Sequence, residues 1–96
     1  MTEPAPDRIE RMRAALTVAL NPASLEIQDD SHLHAGHRGA REGKGHYTVQ
    51  VVAAQFSGLR PLQRHQLVYK ALADLMHSDI HALAIVALAP EEFSAS

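Results

Sequence analysis

The segment DDSHLHAGHRGAREGKGH, residues 29–46, constrains most strongly what this chain can fold into. It holds four of the seven histidines and four of the five glycines of the protein, but almost no apolar side chain. A segment of this composition has too little apolar surface to build a core. We therefore predict a long polar connection here, and the residues on either side of it must supply the packed interior.

The length of 96 residues fits one domain with a single core and is too short for two. We predict one domain over residues 1–96, with its folded core at residues 7–92 and a short flexible tail at residues 93–96. The apolar residues are mainly Ala, Val, Leu and Ile, with two Tyr, two Phe and no Trp. The core is therefore expected to be small and aliphatic.

Apolar periodicity on both sides of the polar segment predicts the order helix, strand, strand, helix, strand. The predicted elements are a helix from Pro6 to Leu20, strands over SLEIQD and HYTVQVVAA, a helix from Pro61 to Met76, a strand over IHALAIVAL and a helical turn at Pro90-Glu91-Glu92. The last strand is apolar on both faces, which favours a central or helix-covered position in the sheet. The predicted fold class is α+β, with one small three-stranded mixed sheet and helices on one face.

This strand order brings distant histidines to one edge of the sheet. The second helix is long enough to carry the chain back along the second strand, so the third strand can run parallel to it through a right-handed crossover. His46 and His81 then begin neighbouring strands, and the polar segment ends at the same edge. His34 or His37 could therefore meet His81, although they are far apart in sequence.

Any metal bound by this chain must use histidine, carboxylates or the ligands of a partner, because the chain has no cysteine. His32-Leu33-His34, with His37 close by, is an acceptable set of nitrogen donors for zinc, copper, nickel or iron. Solvated loop histidines explain the same pattern, and His81 also fits a packing residue bonded to a backbone carbonyl. The neighbouring Asp-Asp-Ser sequence lacks a third orienting group for nucleophilic catalysis, so we do not predict an enzyme.

The charge distribution indicates where an anionic partner would bind. The net charge of −2 argues against a protein that coats nucleic acid, but residues 31–70 carry six basic side chains and one acidic side chain. Four side chains on or before the second helix could contact phosphate, although a solvated helix face explains them equally well. These four are Arg60, Arg64, His65 and Lys70.

The sequence also bears on localisation. No apolar run approaches the ~20 residues that a membrane span needs. The N-terminal residues do not show a basic stretch followed by an apolar one, as a signal peptide would. We expect a cytoplasmic protein that does not associate with a membrane.

Several ordered motifs of the chain resemble those of the BolA family. They are Asp29-Asp30-Ser31 before the histidine-rich loop, Gly45-His46-Tyr47, Phe56-Ser57-Gly58, PLQRHQLVY at residues 61–69 and Ile80-His81-Ala82-Leu83. The likeness extends over residues 9–92, which is nearly the whole chain. It implies an α-β-β-α-β domain related to class II KH folds, in agreement with the element order above.

The resemblance also implies a partnership with a monothiol glutaredoxin, with a [2Fe–2S] cluster held between the two proteins. A glutaredoxin cysteine and glutathione would bind one side of the cluster, and this chain would add His81 and a loop histidine, His34 or alternatively His37. No cofactor is expected in the isolated chain, which would be a monomer or a weak homodimer. The implied function is a non-enzymatic accessory role in iron–sulfur cluster assembly and trafficking and in iron-redox regulation.

Two alternatives stay open at this point. Some BolA family members are described as transcriptional regulators that bind duplex DNA, and the basic segment at residues 60–70 could serve that function in a stress response. Gln66 stands where related sequences often repeat the basic residue after Arg-His, which weakens this alternative. A small metal-binding or hydrolytic protein is the third class, and it requires a preformed site in the isolated chain.

Overall fold

The structure is a computed structural model that describes residues 4–31 and 45–95. The helices and strands in these ranges follow the predicted order, which confirms the α+β class, except that two helices replace the single second helix. The elements are α1 (Pro4–Leu20), β1 (Ser24–Asp29), β2 (Gly45–Val52), α2 (Pro61–Ala71), α3 (Ala73–Ser78), β3 (Ile80–Leu88) and α4 (Pro90–Ala95), with a 3₁₀ turn at Ala54–Phe56.

The three strands form one mixed sheet in the order β1-β2-β3. β1 pairs with β2 in antiparallel register, and β3 pairs with β2 in parallel register. The parallel pair requires a crossover, which α2 and α3 provide by returning the chain along the sheet. The predicted mixed sheet and the parallel third strand are therefore confirmed.

The core lies between one face of the sheet and the helices. Tyr47, Val49 and Val51 alternate along β2 and are buried on this face. The side chains that pack with them come from α1, the 3₁₀ turn and the crossover helices. The principal ones are Met12, Leu16, Leu20, Phe56, Val68, Leu72 and Leu75.

Asn21 explains why α1 ends where it does. Its backbone has φ 47, in the left-handed region that closes many helices, and its N–H donates to the carbonyl of Thr17 at 2.9 Å. Pro22 follows and cannot continue the helix. The chain then turns directly into β1, so α1 and β1 remain in contact.

The central position that the apolar pattern favours for β3 is wrong, and helices cover only one face of the strand. β3 is an edge strand, and Ala82, Ala84 and Val86 are exposed on the face of the sheet opposite the helices. The pattern misleads because alanine counts as apolar but has little surface to bury. Only the face with Leu83, Ile85 and Ala87 packs against the helical layer.

The crossover is also not the single helix that the sequence predicted over residues 61–76. It breaks at Leu72, whose backbone (φ −102, ψ 14) is not helical, and α3 continues to Ser78. Leu72, at the break, and Leu75, after it, are both buried in the core. The other boundaries differ less, since α1 begins at Pro4 and β2 ends at Val52, before the predicted Ala54.

Across residues 4–31 and 45–95, no helix combines the length and the apolar character needed to cross a membrane.

Candidate functional site

The parallel pairing of β2 and β3 places His46 and His81 next to each other at the edge where both strands begin. Their ring centroids are 5.1 Å apart, with the ring planes inclined at 52°. The two residues are 35 positions apart in sequence, so the strand order alone brings them together. This is the juxtaposition that the element order predicts.

A β-bulge at the start of β3 sets the position of His81. Gly45 is paired with Ile80, but the next residue of β2, His46, is paired with Ala82. His81 is therefore an extra residue without a register partner. Bulges redirect side chains and often lie beside functional sites. Here the bulge keeps Ile80 buried and leaves His81 exposed.

The two imidazoles differ in their surroundings. His46 is 6% exposed, and its backbone N–H donates to the hydroxyl of Ser31 at 3.1 Å. His81 is exposed on the edge strand, where a second molecule can reach it. The pair thus consists of one histidine built into the sheet and one histidine presented outward.

Asp29-Asp30-Ser31 fastens the end of β1 to the start of β2. The Asp29 carboxylate accepts a bond from the N–H of Ser31 at 2.9 Å, and the N–H of Asp30 donates to the carbonyl of His46 at 2.7 Å. The Asp30 carboxylate also accepts the Thr48 hydroxyl at 2.5 Å. The Asp-Asp-Ser sequence therefore has a structural role, because its bonds hold the end of β1 against the start of β2.

A partly buried charged cluster lies under the same edge and joins α1 to the starts of β2 and β3. Nη1 of Arg8 donates to the Tyr47 hydroxyl at 3.2 Å, and Nε of Arg8 donates to the Asp79 carboxylate at 3.1 Å. Arg11 donates to the same carboxylate at 2.8 Å, and the Ser78 hydroxyl bonds its other oxygen. The carbonyl of Asp79 accepts the N–H of Gly45 at 2.9 Å, which ties the cluster to the exit of the loop.

The pKa values of this cluster follow from burial and pairing. The Ser78 hydroxyl and then the two arginines lower the pKa of Asp79, against the effect of burial. Burial raises the pKa of Tyr47. Burial acts to lower the pKa of Arg8, but the bonds to Tyr47 and Asp79 outweigh it and the pKa is raised. Asp79 is therefore held as an anion between two cations. No local sequence pattern indicates this cluster, because Arg8 and Asp79 are 71 positions apart.

A shallow cleft of about 220 Å³ opens beside the histidine pair. It lies between the end of β1 and the first half of β3, over the start of β2. Alanines form part of its floor, so a partner can approach the backbone closely. The lining residues are Asp30, His46, Tyr47, Ala82, Leu83 and Ala84.

The two loop candidates, His34 and His37, lie outside the described residues. The described chain reaches Ser31 on one side and resumes at Gly45 on the other, and both ends are bonded at the edge that holds His81. Among residues 4–31 and 45–95, no group of three or more His, Cys, Asp or Glu is placed to hold a metal ion. A metal centre at His81 would need donors from residues 32–44 or from a second molecule.

The four basic candidates on or before α2 differ in exposure and in hydrogen bonding. The side chain of Arg64 is only 11% exposed, and it donates to the carbonyls of Leu59 at 2.9 Å and Ala87 at 3.0 Å. It also grips the Glu92 carboxylate with both terminal nitrogens, at 2.6 and 3.1 Å. Arg64 is thus engaged inside the protein. The remaining three vary in exposure: Arg60 and Lys70 are exposed and His65 is half-buried.

Comparison with known proteins identifies the family. A profile described as BolA, BolA-like protein, matches residues 16–92. BolA-like protein 1 of Bos taurus is 43% identical over 82 residues, which cover 85% of this chain and 58% of the relative. SufE-like protein 1 of Arabidopsis thaliana is 39% identical over 87 residues, 85% of this chain and 24% of the relative. A protein of Haemophilus influenzae named DNA-binding transcriptional regulator BolA is 39% identical over 74 residues, 77% of this chain and 69% of the relative.

A solved structure agrees with these sequence matches. The BolA domain of SufE1 from Arabidopsis thaliana superposes with a TM-score of 0.77 at 40% identity, covering 86% of this chain and 92% of that domain. The chain therefore belongs to the BolA-like protein family. It spans 58% of the length of the Bos taurus relative and 24% of the length of SufE-like protein 1.

Proposed function

We propose that this protein is a non-enzymatic accessory protein of iron–sulfur cluster assembly and trafficking. It binds a monothiol glutaredoxin and shares a [2Fe–2S] cluster and glutathione with it. The observation that carries the proposal is the placement of His81, which is exposed at a bulge on the edge where both ends of the histidine-rich loop are anchored. An exposed histidine at such an edge can complete a site whose other donors come from a second protein.

The donor chemistry of the chain fits half of such a site. Imidazole replaces thiolate on one iron of some [2Fe–2S] centres, and this chain has histidines but no cysteine. His81 and one loop histidine, His34 or alternatively His37, would hold the cluster from this side. The cluster would supply one-electron redox chemistry at a potential raised by its neutral ligands.

The residues around His81 keep the start of β3 in a fixed geometry. The bonds from Arg8 and Arg11 to Asp79 hold the chain two residues before His81. The bond from Gly45 to the Asp79 carbonyl sets β2 beside it. A ligand held by packed and hydrogen-bonded neighbours loses less conformational entropy when a metal binds. We infer that this cluster positions His81 without touching the metal.

The proposal predicts a spectroscopic effect of His81→Ala. The purified protein is mixed with a monothiol glutaredoxin, iron, sulfide and glutathione, and the visible absorption and circular dichroism of the cluster are recorded. The wild-type protein should change the glutaredoxin spectrum, and His81→Ala should abolish that change. His77→Ala, on the exposed face of α3, is the matched control and should behave as wild type.

The same measurement separates the loop ligands. His34→Ala should reproduce the effect of His81→Ala, while His37→Ala should not; the reverse result would assign His37 as the ligand. An unchanged spectrum with His81→Ala would show that this histidine is not a cluster ligand.

DNA binding is the second candidate function, and two observations favour it. A relative carries the name of a DNA-binding transcriptional regulator. In addition, α2 has no acidic residue, and Arg60 and Lys70 are exposed at its two ends. Binding to duplex DNA should weaken linearly on a log–log plot against salt, and Lys70→Gln should reduce the slope by about one. Absence of binding near physiological salt would exclude this function.

A further inference from the structure

The outer edge of β1 has no strand partner among the described residues. The N–H of Asp30 donates to the carbonyl of His46, so even-numbered positions of this strand direct their backbone groups toward β2. Leu25, Ile27 and Asp29 therefore direct their N–H and C=O groups outward. The carbonyl of Leu25 accepts a long bond of 3.4 Å from Nη1 of Arg13.

This edge has the features of a surface on which another strand can pair. The register with β2 is regular from Ser24 to Asp29, with no bulge, and SLEIQD contains no proline. A groove of about 400 Å³ runs along the strand and is lined by residues on both of its faces. Regular edges of this kind are templates for strand addition unless something blocks them.

The opposite edge of the sheet is less suited to pairing. On β3 the carbonyl of Ala87 is already occupied by Arg64 at 3.0 Å. A strand added there would also cover His81, which the proposed function requires to be accessible. The β1 edge lies on the far side of β2 from β3, so pairing at β1 leaves the histidine pair uncovered.

We propose that the β1 edge binds a second copy of this chain through an antiparallel strand pair with its two-fold axis at Ile27. This interaction surface goes beyond the proposed function. In this register Ile27 faces Ile27 of the second copy, Leu25 faces Asp29, and Glu26 faces Gln28. About six backbone hydrogen bonds form between the outward-directed groups of the two strands, with the Leu25 carbonyl accepting from Arg13 and from the second copy through its two lone pairs. The result is one continuous six-stranded sheet.

The charges of the edge are self-complementary in this register. Arg13 already lies against the Leu25 carbonyl, and Asp29 of the second copy arrives opposite Leu25. Each Arg13 therefore meets an Asp29 carboxylate, and the two-fold axis repeats this pair. Glu26 faces an uncharged Gln28, so no like charges are directly opposed. Such a patch, which matches itself under a two-fold rotation, is what an isologous dimer requires.

Analytical ultracentrifugation of the full chain over a concentration series tests the proposal. We expect a reversible monomer–dimer equilibrium that weakens with added salt. Arg13→Glu places like charges at both ends of the strand pair and should raise the dissociation constant about tenfold or more. Lys70→Glu makes the same change in net charge on α2 and should leave the constant unaltered. A monomer at every concentration, or a dimer insensitive to Arg13→Glu, would overturn the proposal.

A spin label checks the register, since the chain has no native cysteine. Glu26→Cys places the label on the exposed face of β1, where the two positions would be about 8 Å apart between Cβ atoms. Electron paramagnetic resonance should show strong dipolar broadening that dilution with unlabelled protein removes. A label at Lys70→Cys should show no such broadening. Broadening at residue 70 but not at residue 26 would place the contact on another surface and contradict the register.

Discussion

At the scale of single residues, Gly45 shows how closely the start of β2 is packed. A Cβ atom at this position would lie 2.5 Å from Cε2 and 2.6 Å from the hydroxyl of Tyr47. The Tyr47 ring is only 2% exposed, and its hydroxyl is bonded to Arg8. The ring therefore cannot move aside without breaking the charged cluster, and only glycine fits here.

We expect Gly45→Ala to destabilise the protein by about 1–3 kcal/mol, the usual cost of overpacking a core. The measurement is the free energy of unfolding in urea. Tyr47→Leu removes the ring and its hydroxyl, so Gly45→Ala should cost clearly less in a Tyr47→Leu background. Equal costs in the two backgrounds would show that the contact with Tyr47 is not the cause.

At the scale of elements, Arg64 joins three segments that are remote in sequence. It bonds the loop before α2 at Leu59, the end of β3 at Ala87, and α4 at Glu92. The Arg64 hydrogen bond lowers the pKa of Glu92, whose carboxylate also caps α4 by accepting the N–H of Ala89 at 2.7 Å. One guanidinium thus fixes how the C-terminal helix packs on the end of the sheet.

Arg64→Ala should lower the Tm by several degrees, and Arg64→Lys should recover little of the loss. Lysine keeps the charge, but its single nitrogen cannot serve two carbonyls and a carboxylate together. Lys70→Ala, which removes an exposed charge from the same helix, should leave the Tm nearly unchanged. The measurement is thermal unfolding followed by circular dichroism. Full recovery of the Tm by Arg64→Lys would contradict the role of the planar guanidinium group.

Periodicity predicted the strands, the parallel pairing and the start of both histidine-bearing strands, at His46 and His81, on one edge, because these follow from local pattern and chain connectivity. It did not predict the bulge at His81, since the extra residue is defined only by the pairing with Gly45 and His46. The bonds of Arg64 could not be predicted either, because its partners Leu59, Ala87 and Glu92 are brought together only by the fold. The helix break at Leu72 has no proline or glycine signal in the sequence, so local pattern could not predict it.

At the scale of the whole molecule, acidic side chains hold elements together at both ends of the sheet. Asp79 ties α1 to the start of β3, and Glu92 ties α2 to α4 at the other end. Both carboxyl groups have lowered pKa values in the folded protein. Their stabilisation is therefore present above the ordinary carboxyl pKa of about 4 and is lost as the pH falls through the folded values.

We expect the free energy of unfolding to be nearly constant around neutral pH and to fall steeply below about pH 4. Asp79→Asn should cost about 1–3 kcal/mol at pH 7, because the buried Arg8 and the exposed Arg11 both lose a charged acceptor. The difference from wild type should narrow at low pH, where Asp79 itself is protonated. Urea unfolding at several pH values measures this, with the exposed Asp74→Asn as control, and a gap independent of pH would contradict the assignment.

The bonds that hold Ser31 and Gly45 at one edge of the sheet also act as a tether. The Ser31 hydroxyl accepts the N–H of His46, and the N–H of Gly45 donates to the carbonyl of Asp79, so the chain on both sides of residues 32–44 is fixed at the edge where β3 begins. Folding of the sheet alone therefore meets the loop-closure cost of residues 32–44. Under the proposed function, a partner would spend less of its binding energy on closing this segment.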